Sequence, residues 1–155
     1  MIRRLIASDI PAAAQLWLQT SLEAHPFIAA SYWQDNLDRV RGLLAKDAET
    51  YVFVNRHRIC GFISLLPDNF IGALFVAKPF QRNRIGAKLL DYALRRRPAA
   101  CLCVYAANMP AISFYHHRGF KIIREQIEPE TGVAELVLAW AKGCKSGPCR
   151  RPGES

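Results

Sequence analysis

One succession constrains the fold of this chain more than any other: "NFIGALFVAKPFQRNRIGAKLLDYALRRRPAACLCVYA", residues 69–106. A strand-like run (Ala73–Lys78) enters a basic turn. An amphipathic helix follows, with Ile85, Leu89, Leu90, Ala93 and Leu94 on one face. Pro98 stops the helix and Arg95, Arg96 and Arg97 complement its dipole, before a second apolar run behaves as a strand. Strands interleaved with helices imply a sheet with helices packed upon it.

The remaining sequence extends the pattern. "IRRLI" reads as a short strand. "SDIPAAAQLWLQTS" reads as a helix capped by Ser8 or Asp9, with Pro11 in its first turn. His25-Pro26 makes "HPFIAASYW" a loop, and "QDNLDRVRGLLAKDA" is predicted as a second helix. "ETYVFVN", "ICGFISLLP" and the run into Lys78 are three strands, "NMPAISFYHHRG" is a helix, and "FKIIREQI" and "VAELVLAWA" are two further strands. The order β-α-α-β-β-β-α-β-α-β-β is an α/β arrangement with a mixed sheet covered by helices. Residues 142–155, "KGCKSGPCRRPGES", lack an apolar period and are expected to form a flexible basic tail behind a domain of residues 1–141.

Composition narrows the function. At 155 residues the chain is long enough for one domain with its own core. No apolar run reaches the roughly 20 residues that span a bilayer, and the apolar stretch after Arg3-Arg4 is too short for a signal peptide. A cytoplasmic protein without membrane contact is the expectation. The net charge of +8 is local: the tail holds four cations against one acid, and residues 78–97 hold much of the rest. That favours one bound anion over a nucleic-acid track. Cys60, Cys101 and Cys103 read as small buried hydrophobes in strands. Cys144 and Cys149, with histidines 25, 57, 116 and 117, show no metal-ligand spacing, so no metal is expected.

The basic turn has a specific chemistry. Free N–H groups at a helix start, together with the helix dipole, attract anions. Gly86 permits close approach, and Arg82, Arg84 and Lys88 add charge. Neither a P-loop nor G-x-G-x-x-G is present. About thirty residues on, "NMPAISFYHHRGF" sets Asn108, Ala111, Tyr115 and Gly119-Phe120 at the spacing N-x-x-A-x-x-x-Y-x-x-x-G-F.

The two motifs at this separation resemble the GCN5-related N-acetyltransferases, a likeness that runs in element order over nearly all of residues 1–140. It implies a mostly antiparallel mixed sheet splayed between its fourth and fifth strands. It implies acetyl-CoA as cosubstrate and direct attack by a primary amine, from a small molecule or from a protein lysine or N-terminus. Leu74, Phe75 and Val76 are then expected to offer main-chain groups to the pantetheine arm and thioester carbonyl. Gln81, Arg82, Asn83, Arg84, Ile85, Gly86 and Ala87 wrap the diphosphate, and Asn108 holds the arm from the other side. Tyr115 matches the usual general acid; read without the family, it is more simply an aromatic on a helix's core face. No nucleic acid is expected as partner, and the state is monomer or homodimer.

Two departures stand out. Arg84 replaces a glycine common in the diphosphate turn, which is tolerable where the backbone stays helical. Cys103 stands where many protein-directed relatives carry a glutamate base, and reads more simply as strand packing. Glu23 and His25 are the remaining candidates, with His25 as the named base. Trp17, Phe27, Tyr32 and Trp33 are candidates either for an acceptor wall or for core. The two departures also leave open a catalytically weak CoA-binding regulatory module of the same fold.

Overall fold

A computed structural model describes residues 1–141; the expected flexible tail lies outside the described residues. Seven strands form one mixed sheet in the order β1-β2-β3-β4-β5-β7-β6. The strands are β1 (Ile2–Arg4), β2 (Glu49–Asn55), β3 (Arg58–Leu66), β4 (Phe70–Val76), β5 (Ala99–Tyr105), β6 (Lys121–Ile127) and β7 (Ala134–Ala141). The helices are α1 (Ile10–Ala24), α2 (Ala30–Asp35), α3 (Leu37–Gly42), α4 (Ile85–Leu94) and α5 (Met109–His117). β1–β2, β2–β3, β5–β7 and β6–β7 are antiparallel. β4 and β5 run parallel and pair at Phe70↔Cys101, so the sheet has the mixed, open form expected. The described residues divide into two compact units: Met1–Leu66 with Ile71–Arg96, and Pro67–Phe70 with residues 97–141.

In the first unit the apolar faces account for the core. α1 buries Ala13, Ala14, Leu16 and Trp17, and α4 buries Ile85, Leu89, Leu90, Ala93 and Leu94. Val52, Phe62 and Ile63 are fully enclosed between them. Thr50 and Ser64, directly opposite across β2–β3, satisfy each other with a 2.8 Å hydroxyl bond. The β2–β3 register slips between Phe53 and Val54. The carbonyl of Cys60 at that slip accepts the Ala77 N–H at 2.7 Å, which fixes the exit from β4.

Gly61 matters for the same strand. A Cβ there would meet the Phe75 carbonyl oxygen at 2.8 Å and Leu89 Cδ1 at 3.3 Å. The obstacle is backbone and cannot swing aside. Gly61→Ala is expected to destabilise by about 2 kcal/mol, lowering the melting temperature by about 5 °C. A melt unchanged to within a degree would show that β4 yields freely.

The α1 start differs from a simple cap. A 3-10 turn (Ala7–Asp9) precedes it, and the Asp9 carboxylate takes the Arg3 guanidinium at 2.7 and 3.1 Å and the Ile6 N–H at 2.9 Å. The predicted helix over 34–48 is two helices and a π turn (Leu43–Asp47), interrupted at Asn36; part of the predicted "HPFIAASYW" loop, from Ala30, is helical. The Arg triplet closes α4 as expected: Arg95 Nε donates to the Asp91 carbonyl, and Arg96 donates to Tyr92 O while stacking 3.5 Å over the Tyr92 ring. In the second unit, Val137 and Leu138 of β7 are buried with Leu102 of β5 and Phe120. Cys60 and Cys103 are thiols outside any disulfide.

Candidate active site

The first unit carries the anion turn. After Val76 the chain makes a 3-10 turn (Lys78–Phe80), runs through exposed Gln81, Arg82, Asn83 and Arg84, and enters α4 at Ile85. The earliest helical bond runs from Lys88 N–H to Arg84 O at 2.9 Å. The N–H groups of Arg82, Asn83, Arg84, Ile85, Gly86 and Ala87 meet no acceptor among the described residues. Arg82 and Arg84 are left-handed, with φ of 71° and 60°. Arg84 is thus outside the helical conformation that would make a side chain there tolerable without strain. Two non-glycine residues held there cost about 1–2 kcal/mol each, a strain that persists where the surroundings over-determine it. The resulting concave row of N–H donors, flanked by cations, suits a diphosphate.

Leu74, Phe75 and Val76 lie half-buried at the end of β4. Phe75 packs on Phe62, centroids 6.0 Å apart. Val76 O accepts Gln81 Nε2 at 2.9 Å, which ties the turn back to its strand.

His25 caps α1 at its C-terminus. Its N–H donates to Ser21 O at 3.1 Å and its Nδ1–H to the same carbonyl at 2.9 Å, leaving Nε2 as the basic nitrogen. The ring stacks on Trp33 at 4.9 Å and meets Phe27 edge-on at 5.7 Å. Trp17 and Tyr32 both pack edge-on against Trp33. Trp17 and Trp33 are buried; Phe27 is exposed. Burial holds the imidazole below the ordinary histidine value, against the weaker opposing effect of the Ser21 bond.

In the second unit, much of the N-x-x-A-x-x-x-Y-x-x-x-G-F spacing is helix grammar. Asn108 is the N-cap of α5, its Oδ1 accepting the Ala111 N–H at 3.3 Å. At the other end Gly119 takes φ of 90°. Its N–H reaches His116 O and the Phe120 N–H reaches Tyr115 O, both at 3.0 Å, while the Phe120 ring meets Tyr115 at 5.3 Å. That is a Schellman closure with its hydrophobic contact, and it places Tyr115 by construction. Tyr115 is buried between Phe114 and Phe120, and its hydroxyl makes no hydrogen bond among the described residues. Burial raises the phenol above its ordinary value.

The family model for the "Acetyltransferase (GNAT) domain" matches residues 46–122. The peptidyl-lysine N-acetyltransferase YiaC of Escherichia coli is 36% identical over 140 residues, covering 90% of this chain and 96% of that one. The chain belongs to the GCN5-related N-acetyltransferase family. Its fold matches the solution structure of apo YjaB from Escherichia coli with a TM-score of 0.78 at 28% identity, over 90% of this chain and 95% of that one. The coenzyme A complex of the PaiA N-acetyltransferase from Thermoplasma acidophilum shares the fold at 17% identity, TM-score 0.76, over 92% of this chain and 98% of that one.

This GNAT protein is therefore an acetyl-CoA-dependent N-acetyltransferase acting on an amine. Among its described residues no group of three or more His, Cys, Asp or Glu could hold a metal ion. No helix among them is long and apolar enough to cross a membrane. Cys103 stands half-buried on β5 opposite Val137. Two positions along β7, Glu135 opposes Tyr105 and is 1% exposed, with Gln126 Nε2 donating to it at 2.8 Å. Cys103 and Glu135 therefore share one sheet face. Sequence reasoning passed over Glu135, although a lone acid in "VAELVLAWA" is the signal of a charge on a buried strand. It also passed over a groove of about 510 Å³ beside the β4 exit.

Proposed function

We propose that this acetyltransferase modifies lysine side chains of proteins, in the cytoplasm. The observation that carries the acceptor is its 36% identity, across nearly the full length of both chains, to a peptidyl-lysine N-acetyltransferase. Acetyl-CoA supplies a thioester whose C–S bond breaks as the amine nitrogen bonds to the carbonyl carbon. The residues of this chain then have separate tasks.

The free N–H row from Arg82 to Ala87, with Gln81 anchoring the turn, binds the diphosphate; main-chain groups of Leu74, Phe75 and Val76 orient the arm and stabilise charge on the carbonyl oxygen. Asn108 keeps α5 in place from its N-terminus, and it is the residue that the family pattern assigns to holding the arm. Tyr115 acts as the acid. Its raised pKa keeps the phenol protonated at every working pH, so it is always a donor to the departing sulfur. Nε2 of His25 accepts the proton that an ammonium must lose before it attacks. Its lowered pKa keeps it neutral and competent near pH 7.

The base has a pH signature. The acid limb of kcat/KM should fall below the ordinary histidine value of about 6.5 and vanish in His25→Gln. The same shift affects stability. The unfolded imidazole takes a proton more readily than the folded one, so stability is undiminished above about pH 6.5 and declines as pH falls toward the folded value. A limb unmoved in His25→Gln would assign the base elsewhere.

The reading is tested by incubating the full chain with acetyl-CoA and lysine peptides, following free thiol release and peptide mass. A gain of one acetyl group on the lysine ε-nitrogen, matched by thiol release, is expected. Thiol release without any acetylated lysine in peptides or in Nα-acetyl-lysine amide would overturn it.

A further inference from the structure

The groove beside the β4 exit has a defined chemistry of its own. α1 contributes Leu16, Leu22 and Glu23, the start of β3 contributes Arg58 and Ile59, and the link after β4 contributes Lys78 and Phe80. Leu16, Leu22, Ile59 and Phe80 supply apolar walls. The side chains of Glu23, Arg58 and Lys78 are exposed. None of the three has an ion-pair partner among the described residues. Thr20, which also lines the groove, already donates its hydroxyl to Leu16 O at 2.7 Å. The cavity is thus an apolar slot with two unneutralised cations and one carboxylate.

Its position links it to the reaction. Ala77, part of the wall, directly follows Val76, so an occupant lies within about 10 Å of the main chain of Leu74–Val76, three residues at about 3.3 Å each. None of Gln81–Ala87, the turn with free N–H donors, lines the groove, and Glu23 disfavours a polyanion there.

We propose that this groove reads the sequence around the acceptor lysine. It seats one aliphatic or aromatic neighbour against Leu16, Leu22, Ile59 and Phe80, and one Asp or Glu neighbour against Arg58 and Lys78. The occupant is the acceptor polypeptide itself, chosen by the excess of cations over acid at an apolar slot. The proposal rests on the lysine-acetylation reading above and adds the class of sequence that is preferred.

The test compares wild type with Arg58→Glu/Lys78→Glu, both positions being exposed, after thermal melts establish that the variant folds. Three acceptors are used: a lysine peptide flanked by Leu and Glu, the same peptide with Ala at both flanks, and Nα-acetyl-lysine amide. Peptide binding without acetyl-CoA is read by fluorescence anisotropy, and KM and kcat by thiol release. Wild type should show a KM about tenfold lower for the Leu/Glu peptide than for the Ala peptide, with a matching difference in binding. The double variant should lose that preference at unchanged kcat, while turnover of Nα-acetyl-lysine amide and the KM for acetyl-CoA stay as in wild type. Equal binding of both peptides by wild type would overturn the groove's role and leave lysine acetylation standing. A shift in acetyl-CoA KM instead of peptide KM would assign the groove to the cosubstrate, which also overturns it. Failure of wild type on all three acceptors would remove the lysine reading, and this proposal with it.

Discussion

Tyr115→Phe lowers kcat by a factor of about 10² to 10³ while acetyl-CoA binding and the melting temperature stay near wild type. The phenol oxygen makes no hydrogen bond among the described residues, so its removal strands no buried partner. The ring keeps its contacts with Phe114 and Phe120, and the Schellman closure at Gly119 is built from backbone. What disappears is the one proton that the α5 framework holds in place. With the phenol raised by burial, full transfer to a thiolate is uphill, so the donor acts mainly as a hydrogen bond that strengthens as sulfur gains charge. No basic limb from Tyr115 should appear in the working range of pH. Stopped assays for kcat, with calorimetry for acetyl-CoA, separate the outcomes. Equal loss of binding and turnover would make Tyr115 a packing residue.

The second large effect lies at the opposite end of the cosubstrate. Arg82→Glu with Arg84→Glu should raise the acetyl-CoA KM about 100-fold, with fold and kcat at saturation retained. Both side chains are exposed and without ion-pair partners among the described residues, so reversing them breaks no contact there. Both backbones remain non-glycine at positive φ, so the strain is the same in variant and parent. The change is confined to the field around six free N–H groups. Wild-type affinity should fall steeply with salt and the variant's should not, because the lost interaction is between charges. A KM within a factor of two of wild type would show that these arginines serve only solubility.

The parts of this molecule that were legible in its sequence are those written in contiguous periods. The α4 face of Ile85, Leu89, Leu90, Ala93 and Leu94 is continuous and identified its helix. The cap at Asn108 and the glycine at 119 mark two helix ends that few other residues tolerate. The change from α3 to the π turn at Leu43 was hidden because Leu37, Val40, Leu43 and Leu44 continue the apolar period across it. The left-handed Arg82 and Arg84 were hidden because arginine carries no propensity for that region. The groove draws on three elements far apart in the chain, so no window of sequence contains it.

The central claim is that the unsatisfied N–H groups from Arg82 to Ala87 seat the cosubstrate's diphosphate. Titration of ¹⁵N-labelled protein with coenzyme A tests it most directly. The account predicts that the amide resonances of Arg82, Asn83, Arg84, Ile85, Gly86 and Ala87 move the furthest and saturate together. Saturable binding in which those six resonances stay fixed while others shift would contradict it.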